Sequence, residues 1–410
     1  MSASTKTIGN KALLHLSNAL QGRSLMLKIE SVDTYVLKTA LDKPFAYSQG
    51  WVTGRSTTVV RIRTTDGIEG WGETFSVGLQ PPEIAATVIE SALKPLLLGK
   101  NPLDTEVLWN NMYVRTRDFG RKGVVLGAIS AVDIALWDIC GKVANQPVWQ
   151  LLGGAFRQRV QCYATGFFRP EGQGQSAAMA AEAKRHESAG FSIMKVKLGF
   201  GLNDDIAVMH AIRDTLAPET QLMVDVNHAY SANEAIRLGR ALDAMRLRWL
   251  EEPVVPEDLA GYRRVRDAID TPIAGGEAEF SMYGFHDLFA AGAVDIAQPD
   301  ICLAGGFTAL RHINALAQVH GVKVNPHVWG TAVGQYASLH MIVATPDTHY
   351  ALYADQPLFE YDTSSHPFRT ALVTQPLEQR NGWLDVPDRP GLGFELDRAF
   401  FDKTAIRIGH

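Results

Sequence analysis

Seven ionisable residues punctuate the second half of the chain at steps of 28, 26, 26, 23, 27 and 33 residues: Lys197, Asp225, Glu251, Glu277, Asp300, His327 and Glu360. Each step is about the length of one strand-plus-helix unit. Asp225 closes Leu-Met-Val-Asp, Glu251 closes Arg-Trp-Leu-Glu, and Glu277 follows Pro-Ile-Ala-Gly-Gly, so each carboxylate emerges from an apolar run. Taken singly, an Asp or Glu at the start of a loop is ordinarily a solvated or capping residue. Three in succession at the ends of buried strands are costly unless something cationic compensates them. With no Cys or His among them, they make a hard oxygen site that suits Mg²⁺ completed by water and substrate oxygens. The bland alternative is a set of salt bridges across a barrel mouth.

Lys195 and Lys197 alternate with Met194 and Val196, and strand side chains repeat every two residues, so both amines face the same side. Their repulsion, a nearby metal and partial desolvation are expected to lower one lysine until its amine accepts a proton near neutral pH. His327 follows Val-Lys-Val-Asn-Pro and Asp300 follows Val-Asp-Ile-Ala-Gln-Pro one unit earlier, which pairs an imidazole with an orienting carboxylate. The lysines and the histidine then stand on opposite sides of whatever the metal binds. The chemistry this arrangement suits is removal of the proton α to a carboxylate, giving an enediolate. Glu360 is placed to share a proton with a substrate carboxylate oxygen.

Such groups converge only if a common scaffold carries them. After Leu151-Leu152-Gly153-Gly154 the chain alternates short apolar strands with amphipathic helices, the pattern of parallel βαβ units. The expected strands are 161–165, 193–198, 222–226, 248–251, 272–275, 294–298, 322–325 and 358–360. In a parallel barrel their C-terminal ends form one face, where the active site sits. Before them, 27–36 and 57–63 are rich in β-branched residues, and Asp66-Gly67 leads into 68–73 as a hairpin. Helices are expected at 82–97, 104–114 and 123–144. The fold class is thus α/β: a modified TIM barrel, (β/α)7β, with an N-terminal α+β capping domain completed by the C-terminal segment. The boundaries fall at 1–26 for an N-terminal extension, 27–155 for the capping domain, 156–361 for the barrel and 362–410 for the returning segment.

Composition limits the alternatives. The chain has 410 residues, 46% apolar and 20% charged, with a net charge of −5 and acidic and basic residues interspersed. It offers no basic face for a phosphate backbone, so nucleic-acid binding is disfavoured. The apolar run around 124–136 is broken by Gly, Ser and Asp and reads as too short to cross a bilayer. Cys140, Cys162 and Cys302 suggest neither a disulfide framework nor a zinc site. A cytoplasmic protein without a membrane partner is expected.

These motifs resemble the enolase superfamily, specifically its mandelate racemase subgroup, from Leu27 to about Leu396. The resemblance implies metal ligands at Asp225, Glu251 and Glu277, a base at Lys197 assisted by Lys195, an Asp300–His327 dyad, and Glu360 directed at the substrate carboxylate. Asp-Val-Asn-His-Ala-Tyr at 225–230, Glu-Glu-Pro-Val-Val-Pro-Glu at 251–257 and Pro-His-Val-Trp-Gly-Thr at 326–331 look like acid-sugar dehydratases and sugar-acid lactone cycloisomerases. In these, the enediolate expels a β-oxygen, either water or a ring oxygen. Asn227, His228 and Trp329 would face the polyol. The family's specificity loop corresponds to 45–55, where Tyr47, Trp51 and Arg55 would close over the substrate. A symmetric homo-oligomer, an octamer, is also implied. Two other readings remain: a racemase or epimerase working by 1,1-proton transfer, and a barrel that binds an acid or a metal without turnover.

Overall fold

The structure is a computed structural model and describes residues 27–76, 80–170, 175–349 and 351–409. The expected extension at 1–26 lies outside them.

Strands β1 (Ile29–Tyr47), β2 (Gly50–Thr64) and β3 (Glu69–Phe75) form an antiparallel sheet. β-branched residues on one face of it, Val32, Val60 and Ile62, are fully buried. The helix Val124–Ala144 lies across β3 so closely that a Cβ at Gly72 would run into the Ala131 carbonyl. At 21 residues this helix is long and apolar enough to span a bilayer, contrary to the sequence expectation, but 89% of its most apolar window is buried inside the protein. Its acidic residues serve tertiary contacts: Asp133 accepts from the Thr308 hydroxyl at 2.6 Å, and Asp138 from the backbone N–H of Trp71 at 3.0 Å. The single helix expected at 82–97 is three pieces, Pro82–Val88, a π-turn at Ile89–Leu93 and Lys94–Leu97. Pro95 explains the break, since its ring excludes the regular hydrogen bond and crowds the preceding turn.

Eight parallel strands follow: β4 (Arg159–Thr165), β5 (Ile193–Lys197), β6 (Gln221–Asp225), β7 (Leu250–Glu251), β8 (Ile273–Gly275), β9 (Ile296–Ala297), β10 (Lys323–Val324) and β11 (Phe359–Asp362). Each lies beside the next in sequence, and β11 returns to pair with β4. Among the described residues no backbone ladder joins β10 to β11. The seam is bridged instead by Leu358 N–H donating to the Asn325 side chain at 2.8 Å and Val328 N–H donating to Glu360 at 3.2 Å. β7, β9 and β10 have two residues each, shorter than the expected runs. β13 (Ala405–Ile408) pairs antiparallel with β1 in the register Thr34↔Ile408, so the C-terminal segment does complete the first sheet. β12 (Trp383–Asp385), which the sequence reading did not foresee, pairs with β4.

One layer of the barrel interior explains where the site must lie. Tyr163, Ile193, Met223, Trp249, Ile296 and Leu358 form a buried apolar plug toward the N-terminal end. Two residues further along the same strands stand Thr165, Lys195, Asp225, Glu251, Gln298 and Glu360, on the same inward face by strand alternation. The plug closes the barrel from below, and the polar layer above it is itself buried.

The C-terminal segment is also tied to the barrel through His340. Its Nδ1 accepts from Trp149 N–H at 3.2 Å and its Nε2 donates to the Leu392 carbonyl at 3.0 Å, so the neutral ring has both nitrogens satisfied. Burial holds this imidazole down at about 4, against 6.5 when unfolded. The unfolded chain therefore binds a proton that the folded one does not. This contribution is complete above pH 6.5 and is lost as pH falls from there toward 4, by about 3 kcal/mol in all. In urea titrations, His340→Gln should flatten the pH dependence of stability across that window. An unchanged slope would contradict this.

Candidate active site

Asp225, Glu251 and Glu277 end or follow β6, β7 and β8, and one oxygen of each lies within 4.8 Å of the others. Asp225 and Glu251 are fully buried. The cluster is electrostatically frustrated. Burial lifts the Glu251 carboxyl well above its usual range, and the Asp225 charge beside it adds to the effect. Burial, with Glu252 next to it, lifts Glu277 to about 7. Glu277 Oε2 is buried without a hydrogen-bond partner. A donor set that is all oxygen, convergent and left with an unpaired buried oxygen fits a divalent cation such as Mg²⁺.

Two residues that the sequence reading passed over fix Glu251. Gln298 Nε2 donates to its Oε2 at 2.6 Å and Trp249 Nε1 donates to the same oxygen at 2.8 Å. Both were legible: each sits two residues before a site carboxylate, on the same inward face.

Lys195 and Lys197 both point inward and share Asp225, while Lys195 has two further anions. Lys195 Nζ lies 2.5 Å from Glu251, 2.7 Å from Glu360 and 3.6 Å from Asp225. Lys197 Nζ lies 2.5 Å from Asp225 and 3.1 Å from Asn227 Oδ1. Burial alone would lower both amines, yet Glu251 and Glu360 hold Lys195, and Asp225 holds Lys197, above the usual lysine range. Between these partners, repulsion between the two ammonium groups is outweighed by the surrounding carboxylates.

Across the cavity, His327 Nδ1 lies 2.7 Å from Asp300 Oδ2, and Cys302 N–H donates to the other Asp300 oxygen at 2.7 Å. Asp300 thus fixes a tautomer in which His327 Nε2 faces inward, 3.6 Å from Glu277. Burial lowers this ring, but Glu277 and Asp300 overcome it and raise it to about 10. Glu360, bonded to Lys195 and to Val328 N–H, sits between these flanks on β11.

Of these groups Lys197, Glu277 and His327 border a cavity of about 300 Å³ whose roof belongs to the capping domain, while Lys195, Asp225, Glu251, Asp300 and Glu360 are buried and do not line it. Lys197, Asn227, His228, Glu277, His327 and Trp329 line it from the barrel, and Tyr47, Arg55, Glu73 and Phe75 from above. Trp51 does not line it: the side chain is 52% exposed. The 45–55 segment is not an irregular loop but the tip of the β1–β2 hairpin, paired as Phe45↔Val52 and Tyr47↔Gly50. Ser48 and Gln49 at its turn donate to the Val226 and Asn227 carbonyls at 2.9 and 2.7 Å. Asn227 and His228 themselves hold left-handed backbone, φ 42° and 51°, a strained conformation that turns both side chains over the site. His228 Nδ1 lies 3.1 Å from the buried Glu252. Glu73, missed from sequence, clamps the two domains. It accepts from Thr57, from the backbone and hydroxyl of Thr331, and from Gly334 N–H, at 2.6 to 2.8 Å. No local pattern announces a contact spanning about 258 residues.

Comparison with known proteins agrees with this geometry. Residues 31–153 match the mandelate racemase / muconate lactonizing enzyme N-terminal domain, and residues 178–400 the enolase C-terminal domain-like family. The chain is 41% identical over 372 residues to D-galactarolactone cycloisomerase of Agrobacterium fabrum, covering 91% of this chain and 97% of the relative. It is 33% identical to arabinonate dehydratase of Saccharolobus solfataricus over 83% of this chain and 88% of that one. A racemase from Streptomyces coelicolor, solved with bound magnesium, superposes with a TM-score of 0.83 at 32% identity, covering 92% of this chain and all of that one (100%). The chain belongs to the mandelate racemase / muconate lactonizing enzyme family of the enolase superfamily, whose members use Mg²⁺.

Proposed function

We propose that this enzyme abstracts the proton α to the carboxylate of a sugar acid or its lactone and then eliminates a β-oxygen, acting as a dehydratase or cycloisomerase. The observation that carries the reading is the convergence of Asp225, Glu251 and Glu277 within 4.8 Å, with Lys197 on one flank and the His327–Asp300 pair on the other. Mg²⁺ held by the three carboxylates would supply positive charge beside the substrate carboxylate, so that a second negative charge can develop there. Lys197 and His327 face the α-carbon from opposite sides; one takes its proton, and the other protonates the departing oxygen. Lys195 keeps Lys197 and Glu360 in register, and Glu360 shares a proton with a carboxylate oxygen as charge builds on it. Asn227, His228 and Trp329 hold the polyol, with Tyr47 and Arg55 closing the roof. Trp51 would join them only if the hairpin tip shifts inward.

The enzyme would work in the cytoplasm as a symmetric homo-oligomer on a small-molecule substrate. Cys140, Cys162 and Cys302 all being free fits a reducing compartment.

The test is a screen of mono- and diacid sugars and their lactones in D₂O with Mg²⁺. The expected result is a 2-keto acid carrying deuterium at the carbon next to the keto group, with deuterium at the α-carbon of recovered substrate wherever abstraction is reversible; apart from the deuterium, water is lost for a dehydratase and the mass is unchanged for a cycloisomerase. Epimer without keto acid would identify a racemase, which the two flanking bases equally allow. No exchange from any acid would identify a binding protein and overturn the proposal.

A further inference from the structure

The cavity is lined by Glu277 of the carboxylate cluster and, near the seam between the capping domain and the residues that follow β11, by Arg55 and His366. Arg55 belongs to a buried group in which two guanidiniums share one carboxylate. Arg369 Nη1 donates to Asp362 at 2.6 Å, its Nε to the Gly330 carbonyl at 2.8 Å and its Nη2 to the Trp329 carbonyl at 2.6 Å. Arg55 shares the same Asp362 oxygen only at 3.5 Å and donates to Ser364 Oγ at 2.5 Å and the Ser365 carbonyl at 3.3 Å. Asp362 is also committed to Ser364, through the backbone N–H at 2.9 Å and the hydroxyl at 2.6 Å. One anion therefore serves two buried cations.

The groups left over are the ones that border the cavity. Arg55 is 4% exposed, stacks at 4.6 Å on Trp329, and its Nη1 has no hydrogen-bond partner. His366, 8% exposed and also lining the cavity, has an unpartnered buried Nδ1. A buried cation in excess of its counter-ions, beside unsatisfied donors, is costly unless a ligand completes it.

Resting on the α-proton reading above, we propose that Arg55 and His366 form a subsite for an anionic group at the far end of the substrate, which makes the substrate a sugar diacid or a lactone of one. A monoacid would leave the excess positive charge uncompensated. A lactone of a diacid reaches the same end state. As the α-proton leaves, its electron pair forms the new carbon–carbon double bond. The β-carbon–oxygen bond breaks toward the acyl oxygen, and the ester becomes the second carboxylate with no water added or lost. Burial, only partly opposed by Asp362 and reinforced by Arg369, lowers Arg55 to about 10, so it remains a cation at neutral pH. Burial and both guanidiniums hold His366 well below its usual range and therefore neutral, which fits it for a hydrogen bond rather than a second charge.

The test uses the full-length protein with Mg²⁺ and stereochemically matched pairs, each a six-carbon sugar diacid and the aldonic acid of the same configuration. Binding is read by calorimetry, and kcat/KM wherever turnover occurs. The diacid should be favoured on the order of 30-fold or more, the worth of one charge-assisted pair. Arg55→Gln should abolish the preference, and Arg55→Lys should restore part of it. His366→Gln should shrink it without altering the fold seen by circular dichroism. Equal binding within the pairs, no measurable diacid binding, or a preference that survives in folded Arg55→Gln would overturn the subsite. Deuterium exchange in the same samples separates the failures. Exchange from monoacids without diacid preference removes only the subsite, whereas no exchange from either removes the α-proton reading beneath it.

Discussion

Glu251→Gln should lower Mg²⁺-dependent turnover by roughly 1,000-fold or more, because several kcal/mol of charge stabilisation depend on the ion being held in place. Glu251 is the most constrained of the three carboxylates. Its Oε1 meets Lys195 at 2.5 Å, and its Oε2 accepts from Gln298 and Trp249. A neutral amide keeps the shape but removes the charge. A second readout is independent of activity: Mg²⁺ should raise the melting temperature of the parent chain, since an ion that binds only the folded state stabilises it, and should not raise that of the variant. If the variant turns over normally, or melts with the same Mg²⁺ increment, the three carboxylates are a structural network and not a metal site.

The two flanking bases give the second large effect. Lys197→Met and His327→Asn should each lower product formation by about 100- to 10,000-fold, the range for one positioned acid or base. They should differ in isotope exchange. The variant that keeps the abstracting base should still exchange the α-proton with D₂O while forming little keto acid, and the other should lose both. The geometry underlies this split: Lys197 is anchored to Asp225 on β6, and His327 to Asp300 beyond β9, so neither substitution breaks the other's contacts. Parallel loss or parallel retention of exchange in both variants would contradict separate roles for the two flanks.

How far such a site can be read from sequence depends on which contacts are local. Strand alternation was enough to aim Lys195 and Lys197 inward, and the βα spacing brought Asp225, Glu251 and Glu277 to one rim, because both rest on periodicities that the backbone imposes. The protonation of the lysines was not legible in the same way. It depends on how many carboxylates crowd each amine, and the sequence shows their number but not their distances. The 45–55 segment reads as a loop because Gly50 and Gly54 interrupt its β pattern. It is nevertheless a paired ribbon, with a register shift between Ala40 and Phe45 that bends it over the barrel. Glu73, Asp362, His366 and Arg369 were out of reach. Glu73 and the Asp362–Arg55 contact cross the seam between domains, with partners 258 and 307 residues apart, and the largely irregular segment that carries His366 and Arg369 has no periodicity to mark them.

A single ion held by three carboxylates is the centre of the proposed chemistry. Diffraction from crystals soaked in Mn²⁺, with anomalous differences collected at its absorption edge, tests this directly. One peak is expected, about 2.1 Å from an oxygen of each of Asp225, Glu251 and Glu277, with the remaining positions open to water or substrate. A peak elsewhere, or one bound by fewer than all three residues, would contradict the account.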